Sequence, residues 1–236
     1  MRLLVFQHTP GEPPAAFAVH AAKAGDVVDV VHLYQGASIP DFDGYDALLV
    51  MGGPMDVWEE DAHPWLVAEK AAIREWVGTG KPYLGICLGH QLLIEAMGGS
   101  CRPMATPEIA VTDVTLDAPS DPLLQGLPNT VSAMHWHGVE ADRLPEKAHV
   151  LGATPGCPVQ AVRVGPKAWG LQFHPELEPG TVTLWMQDAG NLTCASDWLG
   201  SEAAAWQFVK DAEAKAHQFL ETSRQIYGAL RAQAAT

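Results

Sequence analysis

The stretch Lys81–Gly99, KPYLGICLGHQLLIEAMGG, constrains the fold of this chain more than any other. Pro82-Tyr83-Leu84-Gly85-Ile86 is a short apolar run that reads as a buried strand. His90–Met97 spaces its apolar residues as a helix packed on a sheet does. Between them, Gly85-Ile86-Cys87-Leu88-Gly89 forms a G-x-C-x-G pattern. With serine at its centre, the same strand–turn–helix layout is the nucleophile elbow. The central residue of such a turn is held in a strained backbone conformation where neighbouring Cβ atoms collide, hence the flanking glycines. The turn sets the Cys87 sulfur at the sheet edge and at the N-terminus of the following helix. Helix dipole and free backbone N–H groups there favour a thiolate and, later, an oxyanion. A tight turn around an inert, buried cysteine uses the same residue types. The rest of the chain has to decide between the two.

Arg2–Gln7, Val27–Tyr34 and Tyr45–Met51 read as strands, with helices at Ala15–Ala24 and about Pro64–Val77. Gly25 caps the first helix. This alternation predicts an α/β fold: a mostly parallel open sheet with helices on both faces, flavodoxin-like. Ligands of such sheets sit beyond the carboxyl ends of the strands. Gly52-Gly53 and Cys87 both fall at such ends. Farther on, Ala110–Leu116, Thr130–Met134, His149–Ala153 and Val159–Val164 are strand-like runs separated by turns, which add antiparallel strands to one edge. Lys167–Phe173 is a further strand and delivers His174-Pro175-Glu176 at its end. A helix near Thr181–Asp188 follows, then a long amphipathic one over about Ser201–Ala232, with Trp206, Val209, Ala212, Ala216, Phe219, Ile226 and Leu230 on its packing face. The expected organisation is one unit over residues 1–180 and a C-terminal helical extension, 181–236, packed on it.

A net charge of −14 over 236 residues excludes nucleic acid and anionic membrane as partners, because phosphates are repelled. No run of about 18 apolar residues is present, so no membrane span is expected. The opening MRLLVFQHTPGEPP has too short an apolar run for a signal peptide. Four cysteines without C-x-x-C pairing fit a reduced, cytoplasmic protein.

A cysteine nucleophile needs a base, and the base needs an orienting group. His174-Pro175-Glu176 supplies both at a strand end. Side chains two apart on extended backbone point the same way, so Glu176 can bond one imidazole nitrogen while the other faces Cys87. Gly52-Gly53-Pro54, Gly85–Gln91, Trp136-His137-Gly138 and Gly170–Glu176 together resemble the class I (triad) glutamine amidotransferase family, in particular stand-alone members similar to the amidotransferase domain of GMP synthase. By that resemblance Cys87 attacks the side-chain amide of glutamine, giving a γ-glutamyl thioester and ammonia. His174 shuttles the proton and Glu176 orients it. The resemblance further implies an oxyanion hole from the backbone N–H groups of Gly53 and Leu88, with Gly52, Gln91, Trp136, His137 and Gly138 around the substrate.

Val139 stands where the resembling domains carry an acid. With Trp136 it predicts a drier pocket rim, able to take a γ-glutamyl compound with an apolar leaving group. His135 and His137 flank Trp136, but no third ligand falls at supporting spacing, so no metal is expected, nor any cofactor. No G-x-x-x-x-G-K-[ST] phosphate loop occurs. Ammonia-using chemistry then belongs to a separate synthetase chain. Two readings follow: a glutaminase or γ-glutamyl hydrolase acting alone, and a partner protein that works only when docked on that synthetase.

Overall fold

The computed structural model describes residues 1–236. In chain order the elements are β1 (Arg2–Gln7), α1 (Ala15–Ala24), β2 (Val27–His32), β3 (Ala47–Val50), α2 (Trp65–Gly78), β4 (Tyr83–Ile86), α3 (Leu88–Ala96), β5 (Ser100–Leu116), β6 (Thr130–Arg143), β7 (Ala148–Ala153), β8 (Ala161–Val164), β9 (Ala168–Leu171), α4 (Thr181–Trp185), α5 (Ala189–Leu199) and α6 (Glu202–Ala234). They build one nine-stranded sheet in the order β2-β1-β3-β4-β9-β8-β7-β5-β6. The first five strands of that order run parallel. The remaining pairings are antiparallel. This is the mixed α/β sheet that the motif spacing predicts.

The central strands are continuous apolar runs. ALLV in β3 and YLGI in β4 are buried at every position, as strands covered on both faces must be. On one face Leu3, Val5, Leu49, Leu84 and Ile86 pack with Phe17 of α1 and with Ile226, Tyr227 and Leu230 of α6. On the other, Leu4, Phe6, Leu48, Val50 and Tyr83 meet Leu66, Ile73 and Trp76 of α2 and Leu92 and Leu93 of α3. A third cluster joins Ile109 of β5 and Met134 of β6 to Val182 of α4, Ala195 of α5, and Phe208 and Phe219 of α6. Polar ties add direction to α6: the Tyr227 hydroxyl donates to Asp26 at 2.8 Å, and Arg231 Nε donates to the same carboxylate at 2.9 Å. No helix is long and apolar enough to cross a membrane.

Two parts of the fold differ from what the pattern of residues predicts. The β5–β6 hairpin is much longer, Ser100–Leu116 against Thr130–Arg143, with a register shift between Pro103 and Glu108. Prolines and exposed polar residues make the start of β5 look like a loop, but an edge hairpin tolerates both. The second difference is α5, whose Gly, Asn, Thr, Ser and Asp residues are weak helix formers. Asp188 starts it as N-cap, accepting from the backbone N–H groups of Gly190 and Asn191.

The join of β4 to α3 admits no side chains beside it. A Cβ at Gly89 would lie 2.2 Å from the Val50 carbonyl oxygen, and one at Gly85 would lie 2.3 Å from that of Gly89. Both obstacles are backbone. Gly89→Ala is therefore expected to destabilise the protein by about 3 kcal/mol or more, read as a lower denaturant midpoint. A loss under roughly 0.5 kcal/mol, within the range of an inconsequential surface change, would contradict this packing.

Candidate active site

Cys87 sits between β4 and α3 with φ 50° and ψ −102°. Its backbone N–H donates to the Leu171 carbonyl at 2.8 Å, and its carbonyl accepts from Gln91 N–H at 3.2 Å. Sheet and helix thus hold both sides of the strained residue. Around the sulfur, the thiol faces the Trp136 carbonyl at 3.9 Å, and Gln172 Nε2 donates to Sγ at 3.6 Å. Gln91 is buried and donates to Gln172 Oε1 at 3.3 Å. Gln172 lies within the Gly170–Glu176 motif, but its reach to the sulfur is visible only in the structure.

The strand β9, paired to β4, ends three residues before His174 and brings it to the same place. His174 Nδ1 lies 2.7 Å from Glu176 Oε1, both side chains being buried. Its main-chain N–H donates to the Met134 carbonyl at 3.0 Å, and Trp185 packs edge-on against its ring at 5.5 Å. Burial alone would lower the His174 pKa. The Glu176 carboxylate, with the Cys87 sulfur close by, outweighs it and holds the pKa well above the ordinary imidazole value. The alternative base, His90, is packed against Gly170. Burial pushes its pKa down to about 4.

Gly53 and Leu88 come together: a Cβ on Gly53 would lie 3.0 Å from Leu88 Cδ2. Gly52 is fixed through its carbonyl, to which buried His8 donates from Nδ1 at 2.9 Å. His8 Nε2 in turn bonds Glu69 Oε1 at 2.9 Å, both side chains fully buried. Burial lowers the His8 pKa, but the Glu69 charge more than compensates. A charged ring supplies the two donors that these two acceptors require. Sequence spacing gave no sign of this pair, because His8 and Glu69 stand 61 positions apart.

Along β6, Trp136 packs its ring on Trp185 and Phe208, and Gly138 lies against Trp198. His137 is turned away, bonded to Glu108 and to the Val139 carbonyl. Val139 is buried on that same side, since alternate residues of a strand share a face. The expectation that Val139 lines the pocket rim is thus corrected. The aromatic rim comes instead from Trp136 together with Trp185 and Trp198 of the last helices. Cys101, Cys157 and Cys194 are unpaired; burial raises the pKa of each, that of Cys157 to about 12.

A family model for class-I glutamine amidotransferases matches residues 18–187. The chain belongs to that family. The relatives of this chain include the glutamine-hydrolyzing GMP synthase of Porphyromonas gingivalis, 36% identical over 149 residues, which cover 61% of this chain and 28% of that protein. The chain thus spans little more than a quarter of the length of that curated relative. A putative glutamine amidotransferase-like protein, YfeJ, of Salmonella typhimurium is 31% identical over 182 residues, 75% of this chain and 76% of the relative. In fold the amidotransferase resembles a glutamine amidotransferase of Thermotoga maritima, with TM-score 0.87 and 23% identity over 100% of this chain and 99% of the other.

The main surprise of the site is Glu12, from the Pro/Gly loop after β1. A Cβ on Gly52 would lie 2.0 Å from Glu12 Oε2 and 3.3 Å from His174 Cε1. The acid therefore lies beside Gly52 and the imidazole. Trp185 Nε1 holds the loop by donating to the Gly11 carbonyl at 2.8 Å, and Ala16 N–H donates to the Glu176 carbonyl at 3.1 Å. Its place in the loop beyond the carboxyl end of a parallel strand was the available signal. Burial raises the Glu12 carboxyl from 4.5 to about 7, against the opposing pull of His174.

The sign of the linkage follows. Below pH 4.5 Glu12 is protonated whether the chain is folded or not, and it costs nothing. Between 4.5 and about 7 the unfolded chain gives up this proton first, so stability falls, and above 7 the full cost is present. Glu12→Gln is expected to raise thermal stability at pH 8 and to leave it unchanged at pH 4. The gain is smaller than the ~3 kcal/mol of a full shift, because the side chain is only half-buried. Melting curves at the two pH values check this; a variant less stable at pH 8 would contradict it.

Proposed function

We propose that this amidotransferase hydrolyses the γ-amide of glutamine with Cys87 as nucleophile, His174 as base and acid, and Glu176 as orienting carboxylate. The observation that carries the reading is the 2.7 Å contact of His174 Nδ1 with Glu176 Oε1, with the strained Cys87 facing the same imidazole. His174 takes the thiol proton as Cys87 Sγ bonds to the amide carbon. The tetrahedral intermediate places its oxyanion toward the backbone N–H groups of Gly53 and Leu88. The C–N bond then breaks, and His174 gives its proton to the departing ammonia. Water, deprotonated by His174, cleaves the thioester to glutamate. Gln91 and the backbone from Trp136 to Gly138, with Gly52 opposite, hold the amino-acid end of the substrate.

A second reading, hydrolysis of a larger γ-glutamyl amide, has an observation of its own. Trp136, Trp185 and Trp198 form an aromatic wall at this end of the sheet, and Trp198 remains 42% exposed. In this reading residues 181–236 act as an extension that supplies the wall. A third draws on a relative in Sulfolobus acidocaldarius, 30% identical over 153 residues, whose name makes it one subunit of a glutamine-hydrolyzing GMP synthase. By analogy, ammonia would pass to a synthetase on a separate chain. The unpaired cysteines fit a reducing compartment, the cytoplasm.

Steady-state kinetics separate the roles. Cys87→Ala and His174→Ala are expected to abolish turnover of glutamine, whereas Glu176→Gln keeps appreciable activity, because an amide still orients the ring. If His174→Ala retained most of the wild-type kcat, the triad would be wrong. For the substrate, kcat/KM is measured for glutamine and for a series of γ-glutamyl amides, with Trp136→Ala beside wild type. An aromatic wall that holds the leaving group changes the ratio by about 1–3 kcal/mol, and Trp136→Ala erases the preference. Turnover of free glutamine alone, with no larger amide accepted, would favour the role of ammonia supplier to a synthetase.

A further inference from the structure

Alternate residues of β6 serve two different places. Met134 and Trp136 face the catalytic centre through their carbonyls, toward His174 N–H and the Cys87 thiol. His135 and His137 project to the opposite side. There the β5–β6 register sets Glu108 directly across from His137. Glu108 Oε2 is 3.1 Å from His137 Nε2 and 3.8 Å from His135 Nδ1. One donor atom from each of the three residues lies within 4.8 Å of the others.

The hydrogen bonding of this cluster is incomplete as protein alone. His135 is fully buried, yet neither ring nitrogen has a hydrogen-bond partner. The amide oxygen of buried Gln160 is also unpartnered, while its Nε2 donates to Glu108 Oε2 at 2.7 Å. His137 Nδ1 lies 3.0 Å from the Val139 carbonyl, which only accepts, so Nδ1 carries the proton. In the neutral ring Nε2 then presents a lone pair to a carboxylate oxygen. Two acceptors at that separation need a proton or a cation in common. A proton on His137 resolves that pair and leaves His135 and Gln160 unmet.

We infer that Glu108, His135 and His137 form a binding site for a divalent transition-metal cation of the zinc type, behind the strand that holds the catalytic backbone contacts. Imidazole nitrogens with one carboxylate suit such a cation better than magnesium or calcium. Tetrahedral coordination at ~2.1 Å places donor atoms about 3.4 Å apart, between the two observed separations. The Val139 carbonyl supplies the outer hydrogen bond that fixes the His137 tautomer. The fourth position falls to water. A cavity of about 400 Å³, lined by Met104, Thr106, Glu108, Glu140 and Gly156, gives access to Glu108. Bound there, the cation ties residues 135 and 137 and so braces the carbonyls of 134 and 136 against the triad.

The test uses the whole chain stripped with chelator and carrying Cys87→Ser, which removes the nucleophilic thiol as a competing ligand. Cobalt(II) is titrated and followed by visible absorption, then displaced with zinc. One equivalent with ligand-field bands and no thiolate charge-transfer band is expected. Glu108→Gln and His135→Asn should each weaken binding on the order of 100-fold or more, with far-UV circular dichroism matching the metal-free parent. Should either variant fail to fold, X-ray absorption of the zinc-loaded parent decides, the expected signal being two imidazoles and no sulfur. Absence of a saturable equivalent, unchanged affinity in both variants, or a coordination shell without the imidazole pair would overturn the site.

Discussion

The structure turns on one costly backbone conformation. Cys87 and Ala15 are the only non-glycine residues with positive φ, at 50° and 39°, and both lie close to His174 and Glu176. A residue forced into such a region costs about 1–3 kcal/mol. At Cys87 the cost is carried by what surrounds it: β4 on one side, α3 on the other, and the Leu171 carbonyl fixing its N–H. No side chain fits at Gly85 or Gly89, because backbone of α3 and β3 already occupies that space. Packing on both faces of the sheet thus aims the sulfur at solvent's edge. Ala15 plays the corresponding part for the loop of Glu12, next to the Ala16 N–H that holds the Glu176 carbonyl.

Everything else in the site is arranged to meet that sulfur. β9 pairs beside β4, so His174 and Glu176 arrive without a connecting loop of their own. β3 ends at Gly52-Gly53, whose approach is set by the buried His8–Glu69 pair. A buried pair of this kind is weak evidence of stability, since desolvation offsets much of its attraction. Its value here is direction, because a charged His8 ring pins the Gly52 carbonyl and so sets the backbone that lies beside Glu12 and His174. The antiparallel half of the sheet contributes the backbone carbonyls of Met134 and Trp136, together with the Trp136 indole.

How much of this was legible in the sequence depended on how local each cause is. The elbow was readable because two glycines and a strand–helix switch lie within a few residues of Cys87. His174-Pro175-Glu176 was readable for the same reason. Glu12 was hidden in a Pro/Gly stretch that reads as a solvated loop, and only the docking of that loop, held by Trp185 and by Ala16 N–H, brings it to His174. His8 with Glu69, and Glu108 with His135 and His137, join residues from distant elements. No spacing rule links them, because the register of β5 with β6 and the docking of α2 create the contacts. α5 escaped because a single cap at Asp188 outweighs a run of weak helix formers.

In the proposed reaction the strained Cys87 forms the covalent bond to the γ-carbonyl. The most direct measurement is intact-protein and peptide mass spectrometry of enzyme quenched in acid during turnover of glutamine. A γ-glutamyl adduct on the peptide bearing Cys87, enriched when water attack is slowed and cleared by hydroxylamine, is the predicted result. An adduct on Cys101, Cys157 or Cys194, or sustained turnover with unmodified Cys87→Ala protein, would contradict it.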